Sequence, residues 1–266
     1  MNDHMSDVKK AYALLQLERK IVGIKFVYDK ESYDAFDAIE PKKPMYYCQA
    51  VHAAGAGNKI KLTKETSGCA GSSRALGFTP AQANYYSGEA SMPLGLYKKV
   101  ETSKQVAMNI DIFRTQLYGV IVMPLECFET EPDTVMIFSN TRESMRVLQG
   151  YTAVYGYNNH YYMCGNQAIC VEATTYPYIN DRLNVSMLCA GTRFRAGWKD
   201  YEVAMGLPYS KFGGLVEGLM HTVDAIERNP RKYQIETQLK NDGLYEKEFR
   251  YGKTYFLADD NSPKEL

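Results

Sequence analysis

A mixed α/β fold made of two related halves is what this sequence predicts, on three observations. Short runs rich in β-branched and aromatic residues alternate with stretches of helical apolar spacing. Two segments read as copies: Cys69-Ala-Gly-Ser-Ser-Arg-Ala-Leu-Gly-Phe78 and Cys189-Ala-Gly-Thr-Arg-Phe-Arg-Ala-Gly-Trp198. No Pro/Ser-rich linker or low-complexity block interrupts the chain. The expected organisation is therefore an internal duplication packed as one body. Residues 1–105 form a half with Cys48 and Cys69, 106–228 a half with Cys170 and Cys189, and 229–266 a charged C-terminal extension.

Each element follows in order. Residues 6–20 place apolar groups at helical spacing after a Ser/Asp start, and 21–28 read as a strand. Pro44 opens a helix through Cys48, His52 and Ala54, ended by Gly55 and Gly57. A short strand covers 58–62, and Thr66 or Ser67 caps a helix whose first turn carries Cys69. Another short helix is predicted at 93–104. Strands follow at 117–125 and 134–138; the Gly119 region echoes the Gly23 region. A helix at 141–155 carries Met145, Leu148 and Tyr151 on one face. Strands are expected at 183–188, leading into Cys189, and at 203–207. An amphipathic helix fills 210–227, between Pro208 and Asn229-Pro230. The charged tail from Asn241 holds a strand near 251–257.

Composition narrows the function. Lys+Arg and Asp+Glu both number 31, so the formal charge is zero, and the basic excess that nucleic acid or anionic lipid attracts is missing. No apolar run is long enough to cross a bilayer, and the N-terminus lacks a signal-peptide pattern. A cytoplasmic location without nucleic-acid or membrane partners is the expectation. In that compartment the six cysteines stay reduced. They are then inert thiols, metal ligands or reactive thiols. The 22 tyrosines are dense between Tyr151 and Tyr178 and suit a cleft wall or an interface equally.

The repeated segments carry the chemistry. Each is preceded by another cysteine, Cys48 before Cys69 and Cys170 before Cys189. Small residues after the cysteine allow close backbone approach, and free N–H groups at a helix start favour thiolate or an anionic ligand. Cys-Ala-Gly also fits a tightly packed helix–strand junction, with the glycines serving backbone geometry alone. Arg74, Arg193 and Arg195 would tune a bound cluster or hold an anionic ligand, or form solvent-exposed ion pairs. No Cys-x-x-Cys knuckle points to structural zinc, whereas widely separated cysteines suit an iron–sulfur cluster. Cys48 and His52 share a helix face, which leaves a mixed Cys/His site open; otherwise His52 is a partly buried helix residue. Cys164 could replace Cys170, and Cys127 reads as inert. Haem on His52 or His160 is disfavoured, since Cys-x-x-Cys-His is absent. Phosphate-loop, zinc-protease and serine-nucleophile motifs are also absent.

Several stretches together resemble the uncharacterised ArCR family (domain of unknown function 169). They are Tyr47-Cys48-Gln49-Ala50, Ser67-Gly68-Cys69-Ala70-Gly71 through Leu76-Gly77-Phe78, and Ala168-Ile169-Cys170. Further on come Leu183 through Cys189-Ala190-Gly191-Thr192-Arg193 and Ala204-Met205-Gly206-Leu207-Pro208. The resemblance spans about residues 8–228 and singles out Cys48, Cys69, Cys170 and Cys189. It implies no known reaction; an association with anaerobes suits an exposed iron–sulfur centre. The reading is a 4Fe-4S cluster on these four cysteines, serving electron transfer or reduction of a small molecule, with a small-molecule or redox-protein partner. Tyr155, Tyr157, Tyr161 and Tyr162 would line the cleft. Two rival readings stand beside it: a metal-free reactive thiol at Cys69 or Cys189, and a non-enzymatic accessory module contacting its partner through the Tyr-rich segment. The sequence singles out no substrate and no oligomeric state.

Overall fold

The computed structural model describes residues 3–252. Along the chain run α1 (Asp3–Leu15), β1 (Val22–Val27), α2 (Lys30–Asp34), α3 (Tyr47–Gly55), β2 (Ile60–Thr63), α4 (Ala70–Ala75), α5 (Ala83–Tyr86) and α6 (Val100–Asn109). Then follow β3 (Gly119–Pro124), β4 (Thr134–Ser139), α7 (Thr141–Tyr155), a π-helix (Ala168–Thr175), α8 (Tyr176–Asn180) and β5 (Asn184–Ser186). The last are α9 (Ala190–Ala196), β6 (Val203–Pro208), α10 (Phe212–His221), α11 (Val223–Ile226) and α12 (Asn229–Asn241). The mixed α/β class read from the sequence is the class observed.

Two compact units interleave along the chain. One comprises Met1–Arg19, Ser139–His160 and Tyr209–Leu266; the other comprises Lys20–Phe138 and Tyr161–Pro208. The second holds a six-stranded sheet in the order β2-β3-β1-β4-β6-β5. Pairing is antiparallel at β2/β3, β1/β3, β1/β4 and β5/β6, with Val22 opposite Pro124 and Asn184 opposite Gly206. An internal duplication is not shown by this order: β3, from the later part of the chain, lies between β1 and β2 of the earlier part. Successive strand residues face opposite ways, and β1 and β3 accordingly feed two cores. Val22, Ile24, Phe26, Val120 and Val122 join a large cluster with α3, the π-helix and Trp198. Val27, Ile121 and Met123 join a smaller one with Tyr33 and Phe128.

In the first unit α7 packs on α10, and a Cβ at Gly218 would run into the carbonyl of Gly150. Bare glycine backbone is what permits that approach. Buried Arg146 donates through Nε to Glu227 at 2.7 Å and bonds the Thr222 hydroxyl and the Leu219 carbonyl. Arg142 reaches the other Glu227 oxygen at 2.6 Å. Among the described residues no helix is long and apolar enough to cross a membrane.

Several elements depart from the sequence reading for identifiable reasons. The first helix stops at Leu15, because Gln16 turns left-handed with φ 52°. The helix expected at 93–104 is displaced to Val100–Asn109; Pro93 sits in a 3-10 turn and Gly95 is left-handed. Cys69 itself, not Thr66 or Ser67, precedes α4 as its N-cap. The Thr66 hydroxyl instead accepts from Thr63 N–H at 2.9 Å and closes the turn after β2. The strand at 183–188 shortens to Asn184–Ser186, since Leu188 takes φ 69°. The helix at 210–227 divides at Thr222, whose hydroxyl donates back to the Gly218 carbonyl at 2.8 Å. Part of the C-terminal extension is helical, α12, with Pro230 in its first turn. Tyr251 and Gly252 are not in a strand, and the rest of the strand expected at 251–257 lies outside the described residues.

Candidate functional site

Four separate elements of the second unit present the four cysteines. Cys48 lies in the first turn of α3, Cys69 caps α4, Cys170 sits in the π-helix and Cys189 caps α9. All four line one pocket of about 110 Å³, together with Tyr46, Tyr47, Gly71, Ser72, Gln167 and Ile169, and with Ala168, Gly191 and Thr192. The two copied segments take the same local form. Each cysteine is an extended N-cap, and its carbonyl accepts the N–H four residues on, Ser73 at 2.9 Å and Arg193 at 3.1 Å. Ser72 Oγ donates to the Cys69 carbonyl at 3.1 Å, while Thr192 Oγ1 lies 3.3 Å from Cys189 Sγ. A Cβ at Gly71 or Gly191 would come no nearer than 3.7 Å or 3.8 Å to the adjacent cysteine sulfur, so neither glycine is forced by packing there.

Cross-ties hold these elements together. Tyr47 OH and Thr174 Oγ1, 3.0 Å apart, join α3 to the π-helix, and Gln49 Nε2 donates to the Arg195 carbonyl at 3.0 Å, joining α3 to α9. Trp198 packs on Phe138 and His52. The π-helix is fixed from behind: a Cβ at Gly206 of β6 would run into the Ala173 carbonyl. Its buried Glu172 accepts from the N–H groups of Cys164 (2.7 Å) and Gly165 (2.9 Å) and from Ser186 Oγ (2.6 Å). Two non-glycine residues beside the cysteines take left-handed backbone, Gln167 (φ 54°) and Leu188 (φ 69°). Such conformations cost about 1–2 kcal/mol each and collect at functional sites.

Burial governs the electrostatics. It pushes the Cys48 thiol up to about 12, assisted by negative charge on Cys189 and Cys69. Cys170 is raised well above its ordinary value, first by burial and then by Cys69, Cys189 and Cys48. These mutual influences reflect four sulfurs within electrostatic reach of one another. Among the described residues, no three His, Cys, Asp or Glu side chains are gathered closely enough to hold a single metal ion.

The other singled-out residues scatter. Arg74 stacks its guanidinium 4.0 Å from the centre of the Tyr85 ring, beside the pocket wall. Arg193 donates to the carbonyls of Lys199, Met187 and Glu202, which fastens α9 to its flanking loops. Arg195 is exposed and lies 5.0 Å from the centre of the Tyr46 ring. Tyr161 is exposed and does not line the pocket; Tyr162, also off the lining, stacks on Tyr176. Tyr155 and Tyr157 belong to the first unit. His52 shares α3 with Cys48 but is not on the lining. Cys164 is off the lining too, its Sγ donating to the Asn166 carbonyl at 3.1 Å; burial pushes it up to about 11. Cys127 lines a separate cavity of about 640 Å³, with Lys25, Phe36 and Met123. The sequence reading missed Tyr46, Tyr47, Gln167 and Ile169. Proximity to Cys48 and Cys170, and for Tyr47 and Ile169 a place in the family-like stretches, was the signal for them, since nothing in spacing shows which neighbours turn inward.

The profile of a family described as uncharacterised ArCR matches residues 11–218. An uncharacterised protein of Methanocaldococcus jannaschii is 24% identical over 224 residues, covering 83% of this chain and 95% of that protein. No solved structure matches the chain.

Proposed function

This chain belongs to the uncharacterised ArCR family (domain of unknown function 169), and we propose that it is an iron–sulfur protein holding a 4Fe-4S cluster on Cys48, Cys69, Cys170 and Cys189. The observation that carries this reading is the common pocket: these four thiols line it, and Cys127 and Cys164 do not. The lining supports the same chemistry. Among the described residues it has no carboxylate and no imidazole, and its four thiols are soft donors that suit an iron–sulfur centre better than a hard cation.

A structural zinc takes four ligands about 2.3 Å from one point, most often from Cys-x-x-Cys knuckles, and this sequence has none. A polynuclear cluster spreads its ligands, and a cavity of about 110 Å³ has room for several atoms beyond the thiols. Tyr47, Ile169 and Gln167 would wall the cluster, and the strained Gln167 and Leu188 would set the approach of Cys170 and Cys189. Electron transfer, or reduction of a small molecule, is the chemistry such a centre supplies.

Anaerobic reconstitution with ferrous iron and sulfide tests the proposal. The expected product is brown, with about four irons and four acid-labile sulfides per chain and a reduced-state paramagnetic resonance signal. Serine at any one of the four positions should lower iron retention strongly, while Cys127→Ser and Cys164→Ser should leave it unchanged. A colourless wild-type product without bound iron sinks the proposal.

A further inference from the structure

Gln167 is a polar side chain of the pocket whose hydrogen bonding is incomplete. Tyr47, Ser72 and Thr192 of the same lining each have a polar partner within the protein. Gln167 uses one end of its carboxamide, Nε2, on Tyr85 OH at 3.2 Å. The other end, Oε1, is buried with no hydrogen-bond partner among the described residues. A buried amide atom without a partner costs about 1–3 kcal/mol, so such atoms are normally satisfied by something. Gln167 also has left-handed backbone (φ 54°, ψ 43°) as the cap of the π-helix that carries Cys170. Glycine adopts that conformation freely, whereas a glutamine needs its surroundings to hold it there.

The two ends of a carboxamide exchange by a half-turn, and the surrounding hydrogen bonds decide between them. With Nε2 on Tyr85, the remaining end is an acceptor, and the thiolates and sulfides of a bound cluster offer it nothing to accept. After the half-turn Tyr85 O–H donates to Oε1, and the NH₂ group becomes the available end. In a loaded site the cysteine thiolates and the inorganic sulfides of the cluster accept and have no proton to donate. Tyr85 is well placed for this role: its ring is buried, and the Arg74 guanidinium stacks on it at 4.0 Å.

Resting on the four-thiolate reading above, the geometry points to Gln167 as a hydrogen-bond donor to a sulfur of the bound cluster, with Tyr85 holding the amide in the donating orientation. Gln167 would thus be a positioning and tuning residue rather than a ligand. An N–H donor stabilises the more negative, reduced state more than the oxidised one, and so raises the reduction potential.

The test is a redox titration of reconstituted protein, with iron and sulfide measured on the same samples. Loaded Gln167→Leu should show a midpoint potential more negative than wild type. Tyr85→Phe should shift it in the same direction by a smaller amount, because the amide loses its orienting hydroxyl. An unmoved potential in fully loaded Gln167→Leu overturns the assignment. If that variant does not load, Tyr85→Phe decides, and an unmoved potential there overturns it equally. Failure of wild-type protein to load would instead bring down the cluster reading, and this role with it.

Discussion

Burial, more than any charged neighbour, sets the chemistry of Cys48, Cys164 and Cys170. A raised thiol constant means that the neutral form dominates further above neutrality. At Cys48 the rise is from 9 to about 12. A rise of that size leaves roughly a thousandfold less thiolate near pH 7 than an unshifted thiol has. Iron-free protein treated with iodoacetamide at neutral pH should therefore modify Cys48, Cys164 and Cys170 far more slowly than a free thiol, as read by peptide mass mapping. Alkylation of Cys170 at the free-thiol rate would show that burial does not control it. The same contrast explains what was legible at this scale. The cysteines stood out because two segments repeat, and repetition is visible without coordinates. Gln167 did not, because its importance comes from a left-handed backbone and an unsatisfied oxygen, neither of which leaves a mark in residue spacing. The arginines were only half legible. The residue type flags positive charge, but at Arg193 the guanidinium is committed to three backbone carbonyls.

Among the elements, the π-helix carries the most information. All eight of its residues are buried, so no polar face alternates with an apolar one. Reading by helical period had nothing to detect there, and its wider turn is a rare form that often marks functional sites. The strands and α7 were readable for the opposite reason: runs such as 119–124 are apolar and bounded by turns, and α7 begins on an Asn140 capping box. Boundaries failed where single residues intervene, at Gln16, Gly95 and Thr222. The π-helix also yields a prediction. Gly206 of β6 has no room for a Cβ against the Ala173 carbonyl, so Gly206→Ala must push the π-helix outward. Overpacking of this kind costs about 1–3 kcal/mol. Because Cys170 rides on the displaced element, iron retention after reconstitution should fall along with Tm. Gly218→Ala is the control: its Cβ meets the Gly150 carbonyl in the first unit. It should lower Tm by a similar amount while leaving iron per folded chain unchanged. Equal iron loss in both variants would mean that loading tracks general stability and not the seating of Cys170.

At the scale of the whole molecule, the parallels in sequence and the compact units are different divisions of one chain. The first unit takes segments from the beginning, middle and end of the chain, and the sheet inserts β3 between β1 and β2. Linear composition carries no trace of that interleaving, because no linker or change of character marks the crossings. Cys48, Cys69, Cys170 and Cys189 nevertheless all fall within the second unit, so a single chain supplies every proposed ligand. This has a consequence for mass action. A cluster shared between two chains needs their association, which dilution reverses, whereas one held within a chain needs no second chain. Reconstituted protein diluted about a hundredfold without oxygen, then recovered by gel filtration, should keep its iron per chain. Binding to the folded state alone also stabilises it, so loaded protein should melt at a higher Tm than the iron-free form. Iron that elutes only with a dimer, and is lost as dilution splits that dimer, would place the cluster between chains and remove the common pocket as its seat.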